Sequence, residues 1–250
     1  MVDINSLQGP LYGVTLIVAL FAAFFGIRVV DKMAAKKTAV QGKGRIIFSF
    51  LAFGYALFAL GELAFYLLFD VFSQFTEADM PDFYWISGTI FMFMGFLIFT
   101  ISMFKNHGDA KKAGFLFILG IIILGGIIFF VNTIHSTTGN VTESVFLNYY
   151  YPIMSALILI LSVSALIFMD KVGEYKNIFL YLMVANLGSL IGDILYVIYT
   201  NMDNYGLIGI VSDLSYIIAY GLVAIAFMKL VSMIKRIPNQ QEQTMHKIKR

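Results

Sequence analysis

The sequence predicts an all-α bundle of seven transmembrane helices. Three observations carry that expectation. The 250-residue chain is 60% hydrophobic and 13% charged, with a mean hydropathy of +0.84; a soluble domain is about 25% charged. Seven stretches are each long and apolar enough to cross about 30 Å of hydrocarbon at about 1.5 Å per residue. The Lys and Arg residues between them fall on one side only. Helices satisfy their own backbone in lipid, and long Leu, Ile, Phe and Ala runs suit them better than the alternation of barrel strands.

Span one, Leu11–Val30, follows Met1-Val2-Asp3-Ile4, which has no basic n-region, and no small-residue cleavage site comes after it. It therefore reads as a retained helix, not a signal peptide. Span two, Arg45–Phe69, follows the Lys-, Ala- and Gly-rich connection Asp31–Gly44 and carries Gly61-Glu62. Span three, Pro81–Phe104, opens on Pro81-Asp82; proline suits a first helical turn and an acid there complements the dipole. Span four, Ala113–Val131, carries Gly120, Gly125 and Gly126, which read as close packing. Span five, Phe146–Met169, has Pro152 near its outer end, then Ser155, Ser162 and Ser164. Span six, Asn177–Tyr199, carries Asn186, Ser189 and Gly192-Asp193. Span seven, Ser212–Ile234, opens on Asp213.

Residues 1–237 thus form a single transmembrane domain, and 238–250 a polar cytoplasmic tail. One side carries Arg28, Lys32, Lys36, Lys37, Lys43 and Arg45, then Lys105, Lys111 and Lys112, then Lys171 and Lys176, then Lys235, Arg236, Lys247, Lys249 and Arg250. The other carries Asp70, Glu77, Asp79, Glu143 and Asp203 and no cation. Basic residues stay inside, so the N-terminus is outside and the C-terminus cytoplasmic, in a multi-pass protein of the cell membrane whose first partner is the bilayer. The net charge of +2 is a bias between two faces, not a nucleic-acid signature.

The chain has no Cys, which removes disulfides, thiolate metal sites and cysteine nucleophiles. His107, His135 and His246 read as loop or tail residues, against an intramembrane histidine–metal centre. No Ser/His/Asp set, HExxH or phosphate loop is present, so an enzyme is not expected. Asn140-Val141-Thr142 is a formal glycosylation sequon.

An internal repeat organises the chain. A shift of 131 residues lays Arg45–Leu97 on Lys176–Met228 without a gap, matching Ile47, Phe48, Leu51, Gly61, Asp82, Ile86 and Phe96 to Ile178, Phe179, Leu182, Gly192, Asp213, Ile217 and Phe227. Asp31-Lys32 and Asp170-Lys171 close spans one and five. The expected architecture is a parallel 3+1+3 repeat: repeat one at about 11–104, a connector helix at about 113–131, and repeat two at about 146–236.

The repeat places four acids in the outer third of the bundle: Glu62 and Asp193 within spans, Asp82 and Asp213 at span starts. An ionisable residue in a span marks a functional site by default. No Lys or Arg falls in the outer half of any span. A buried carboxylate without a cationic partner takes up a proton or holds a cation. Tyrosines such as Tyr55, Tyr196, Tyr216 and Tyr220 can donate to carboxylates. Asp213, Tyr216 and Tyr220 share one helix face, as do Asp82, Trp85 and Thr89. The candidate ligand- or proton-binding set is therefore Glu62, Asp82, Asp193, Asp213, Tyr55, Asn186, Trp85, Tyr196, Tyr216 and Tyr220.

Asp213-Leu214-Ser215-Tyr216-Ile217-Ile218-Ala219-Tyr220-Gly221-Leu222 is similar to the Asp-x-Ser-x-Lys-x-Gly-aromatic-Gly-Leu segment of the microbial rhodopsins. The resemblance implies seven helices with Asp82 and Asp213 at the two counter-ion positions. It departs at Ile217, where the family carries its retinal lysine, and at Asp79, where an Arg is expected. Retinal is therefore not an expected cofactor. The Gly-acid and Asp-x-x-aromatic pattern also resembles seven-helix sensor domains of signalling proteins. Together these imply a non-photoactive, receptor-like or sensory module that binds a small ligand or cation in an acid- and aromatic-lined outer vestibule. It would signal to a separate partner on the cytoplasmic face, and it leaves room for self-association. The alternative is a small-solute or proton/cation-coupled transporter.

Overall fold

The computed structural model describes residues 7–35, 43–68, 80–107, 109–138, 145–169, 173–202 and 205–236. Among them are seven helices: α1 Gln8–Ala35, α2 Lys43–Tyr66, α3 Met80–His107, α4 Ala110–Thr138, α5 Val145–Phe168, α6 Gly173–Asn201 and α7 Gly206–Arg236. All seven are long and apolar enough to cross a membrane, and the chain is a multi-pass membrane protein. Helices α1, α3, α4, α6 and α7 overrun the expected spans at both ends because their polar end turns need no lipid, while α2 and α5 stop short of Phe69 and Met169. The loop acids Asp70, Glu77, Asp79, Glu143 and Asp203, loop cations Lys36, Lys37 and Lys171, Asp170, the sequon at Asn140 and the 238–250 tail lie outside the described residues.

Six helices close a ring in the order α1, α2, α3, α5, α6, α7, and α7 returns to α1. The fourth helix stands outside it, against α5 and more lightly α6. One end of the bundle carries Arg28, Lys32, Arg45, Lys105, Lys111, Lys176 and Arg236; the other carries Glu62, Asp82, Asp193 and Asp213. We call these the basic and acidic ends.

Lipid is as apolar as leucine, so helix association rests on close packing and interhelical hydrogen bonds. The α2–α3 interface is built that way. A Cβ on Gly54 would sit 2.5 Å from the Met92 side chain and 2.9 Å from the Gly88 carbonyl oxygen, so the two backbones touch where only glycine fits. The core of the basic half is aromatic. Phe99 stacks on Phe179 at 3.8 Å, and Phe48 lies against Phe179 at 5.7 Å. Leu51, Phe96, Leu182, Phe227 and Leu230 are buried around them. Hydroxyls at this level bond backbone carbonyls: Thr100 to Leu161, Ser162 to Leu159, Ser164 to Ile160.

Four expectations change. The seventh helix begins at Gly206, so Asp213 lies about two turns inside it instead of opening it. The apolar stretch Gly206–Val211 simply continues the helix. Pro152 lies within α5, not at its end; membrane helices tolerate an internal proline. A Cβ on Gly125 or Gly126 would meet nothing within 4 Å, so these glycines face outward from the bundle; only Gly120 approaches a neighbour, Ile160 at 3.6 Å. His135 belongs to the last turn of α4 and stacks on Tyr149, 5.7 Å between ring centres.

Candidate functional site

Two glycine contacts set the level of the acids. A Cβ on Gly61 would meet the Trp85 indole at 2.5 Å, and one on Gly192 would meet the Tyr216 ring at 2.8 Å. Because α2 and α3 run antiparallel, as do α6 and α7, Glu62 and Asp82 differ in depth by about 3 Å, and so do Asp193 and Asp213. The four carboxyl groups thus occupy one layer near the acidic end. Glu62 and Asp213, from opposite halves of the chain, lie within electrostatic reach of each other.

Each acid accepts from a tyrosine. Tyr220 donates to Glu62 at 2.8 Å, across the bundle from α7 to α2. Tyr216 and Ser155 donate to the two oxygens of Asp193 at 2.6 and 2.5 Å. Tyr151 donates to Asp82 at 2.5 Å, and Tyr205 donates to Asp213. Asp193 is 8% exposed and Asp213 5%, while Glu62 and Asp82 are half-buried. Tyr205 precedes α7; burial, then its bond to the Asp213 carboxylate, push its phenol up from the usual value, so it stays a donor. No Lys or Arg of the described residues lies at this level. Nor do any three His, Asp or Glu side chains among them converge as a metal site would require. The carboxyl groups come from four helices, α2, α3, α6 and α7, and are not turned onto a point.

Aromatic rings pack at the same level. Trp85 packs against Phe65 and, edge-on, against Tyr151 at 6.4 Å. Its indole lies beside the Glu62 carboxyl, but Nε1 is buried without a hydrogen bond of sound geometry. Tyr196 is 36% exposed, yet its hydroxyl is within electrostatic reach of Tyr12, Tyr151 and Asp82 on three other helices.

Seven of the ten candidates share this layer: Glu62, Asp82, Asp193, Asp213, Trp85, Tyr216 and Tyr220. Tyr196 stands about one turn above it, toward the acidic end. Tyr55 and Asn186 do not join it. Each lies two turns deeper on its helix, and they bond each other, the Tyr55 hydroxyl donating to Asn186 Oδ1 at 3.5 Å. Asn186 is 3% exposed and its Nδ2 has no partner. Sequence reasoning missed Tyr151, Tyr205 and the bond that Ser155 makes to Asp193. One signal pointed to Tyr151: the offset of 139 that brings Asp31 onto Asp170 also brings Tyr12 onto Tyr151. No family model, curated protein or solved structure matches the chain.

Proposed function

We propose that the chain is a receptor-like sensory module of the cell membrane, with the N-terminus and acidic end outside, that takes a small organic cation into the acid- and aromatic-lined vestibule. The observation that carries this reading is the layer of four carboxyl groups held by hydroxyl donors and by no Lys or Arg. A Lys or Arg partner would cancel their charge; a hydroxyl leaves it available. Trp85, Tyr151 and Tyr216 add ring faces and edges that suit a cation. The basic-end stack of Phe48, Phe99 and Phe179 supports a ligand that binds and leaves on one side, with the signal passed by helix movement to a separate partner. The module keeps its likeness to rhodopsin-type and sensor-type seven-helix bundles but not retinal chemistry, because Ile217 cannot form a Schiff base.

The test uses Trp85, the chain's single tryptophan. Choline titrated onto the protein in nanodiscs should shift Trp85 emission saturably, and its uncharged isostere dimethylbutanol should not. Glu62→Gln combined with Asp193→Asn should remove the response. If the wild type shows no saturable shift, the reading fails.

A second reading, a small-solute or proton/cation-coupled carrier, is favoured by one observation. Tyr55 bonds Asn186, and Phe48 meets Phe179; each pair is separated by 131 residues, the repeat shift. Contact between equivalent residues supports an axis relating parallel repeats α1–α3 and α5–α7, with α4 as connector, an arrangement known among carriers. Choline flux into proteoliposomes, with and without a pH gradient, decides: saturable flux makes the chain a carrier, and binding without flux keeps it a receptor.

A further inference from the structure

Lys229 is a cation inside a span, far from the acid layer. It lies on α7 seven residues before Arg236, about 10 Å from the basic end of the helix. The helix has 31 residues, about 46 Å against about 30 Å of hydrocarbon, so a centred helix puts the Lys229 backbone just inside the hydrocarbon boundary. The flexible stem carries the ammonium out to the level of lipid phosphates. Lys229 shares a helix face with Ile225, Ser232 and Arg236, all exposed, and that face is opposite the buried Phe227 and Tyr220. Its Nζ donates to the Tyr181 hydroxyl of α6 at 3.1 Å and stands 4.6 Å over the Tyr181 ring. Among the described residues no carboxylate pairs with it. The Tyr181 hydroxyl accepts this bond, and its own proton has no acceptor among the described residues. An ammonium and a phenol thus stand side by side on the outer surface of the bundle, with a positive charge that nothing on the chain balances.

We infer that the α6–α7 seam near the basic end holds the head group of an anionic phospholipid, with Lys229 Nζ and the Tyr181 hydroxyl donating to its phosphate. The two donors are close enough to bond two oxygens of one phosphate. The unbalanced ammonium selects a lipid with a net negative charge over a zwitterionic one. Toward the basic end the seam stays polar. Asn177, one turn from Tyr181, and Arg236, two turns from Lys229, are both exposed there. Toward the centre of the span it turns apolar, with Val184 and Ile225 exposed as a surface for an acyl chain. A free phosphate ion has the same donor chemistry; the depth of Lys229 and the apolar continuation favour the lipid. The 131-residue shift puts Phe50 and Ile98 where Tyr181 and Lys229 stand, so the corresponding pair, α2 and α3, packs without these polar groups. A bound head group joins α6 to α7 in their basic halves, as the Tyr216–Asp193 bond joins them in their acidic halves. The site is independent of what the acid layer binds.

The chain lacks cysteine, so an introduced cysteine is a unique labelling site. Val184→Cys places a fluorophore beside the seam, and Ile121→Cys on α4 is a control; both positions are exposed, and both lie eleven residues from the basic start of their helix. The probe is phosphatidylglycerol with brominated acyl chains, compared with brominated phosphatidylcholine in nanodiscs. Phosphatidylglycerol should quench the Val184→Cys label about fivefold more effectively, the preference expected from one lysine near an anionic head group, and should show no such preference at Ile121→Cys. Lys229→Gln should abolish the preference, Lys229→Arg should keep it, and Tyr181→Phe, which retains the ring, should reduce it. Excess inorganic phosphate should leave it unchanged. The site is overturned if the preference survives Lys229→Gln or is equal at the two labels, since the basic end as a whole is then what attracts the lipid. It is also overturned as a lipid site if inorganic phosphate abolishes the preference, which would assign the donors to a free anion. Quenching by both lipids at Ile121→Cys and by neither at Val184→Cys would mean that another protein surface covers the seam, and would overturn it as well.

Discussion

The hydrogen bond from Tyr216 to Asp193 makes a quantitative test of the vestibule. It joins α7 to α6 at 2.6 Å, and Asp193 is 8% exposed. Tyr216→Phe removes the hydroxyl and keeps the ring against Gly192. A neutral hydrogen bond contributes about 0.5–1.5 kcal/mol net and one to a charged group about 1.5–3 kcal/mol. Interhelical bonds in a membrane average about 0.6 kcal/mol and reach about 1.7. Asp193 is short of competing water and accepts from two donors, so the upper part of that range applies: about 1.5 kcal/mol for Tyr216→Phe. In an Asp193→Asn background the remaining amide is a weaker acceptor, and the same change should cost about 0.5 kcal/mol, a coupling of about 1 kcal/mol. The assay is reversible unfolding in mixed micelles by SDS, followed by circular dichroism. If Tyr216→Phe costs less than about 0.3 kcal/mol in both backgrounds, the bond is not made and the hydroxyl-held acid layer is wrong.

Other outcomes follow from the same geometry. Gly54→Ala forces a Cβ against Met92 and the Gly88 carbonyl and should destabilise by about 1–3 kcal/mol. Gly125→Ala meets nothing and should stay within about 0.5 kcal/mol in the same unfolding assay. Reporter fusions after Lys111 and after Thr138, at opposite ends of α4, should read cytoplasmic and external respectively; the reverse breaks the orientation. Incubation with all-trans retinal should leave no visible band that survives borohydride and washing, because Ile217 offers no amine.

The helices and acids were legible because lipid imposes length and penalises charge, and both leave marks in a single sequence. Donors were less legible. A tyrosine that caps an acid on another helix stands at no fixed spacing from it, so Tyr151 and Tyr205 were hidden while Tyr216 and Tyr220, on the face of Asp213, were found. Tyr55 was drawn into the site as a tyrosine able to donate to a carboxylate, and Asn186 as a polar residue ahead of Asp193 on the same span; two turns of depth, which residue type does not resolve, separate them from it. The glycines of α4 misled for a different reason. In a membrane both the lipid face and the packed face are apolar, so no contrast in polarity says which way Gly125 points. Ser212-Asp213 looked like a helix start because capping residues look alike wherever they stand; the apolar stretch before them decides.

Under the proposed repeat the acid layer is two-fold in its acids but not in the donors that reach Glu62 and Asp193. Tyr220 reaches Glu62, whereas the residue at the matching position, Thr89, bonds the Trp85 carbonyl of its own helix at 2.7 Å. Asp193 is served instead by Ser155 and Tyr216. Trp85, with Nε1 unbonded, stands against Gly61 at the position that Tyr216 fills against Gly192 in the other half. A cation seated between the halves therefore meets two unlike carboxyl groups. Glu62 is half-buried with one hydroxyl donor and lies beside the indole; Asp193 is buried with two. The half-buried, singly held acid is the better cation partner, and the buried, doubly held one is the better structural tie. Glu62→Gln should accordingly weaken choline's effect on Trp85 emission by roughly tenfold or more, about 1.4 kcal/mol, with little change in unfolding. Asp193→Asn should do the opposite, lowering stability by about 1 kcal/mol with a smaller effect on choline. Equal effects of the two substitutions on both measurements would mean that the donors do not differentiate the two acids, and the asymmetric vestibule would be wrong.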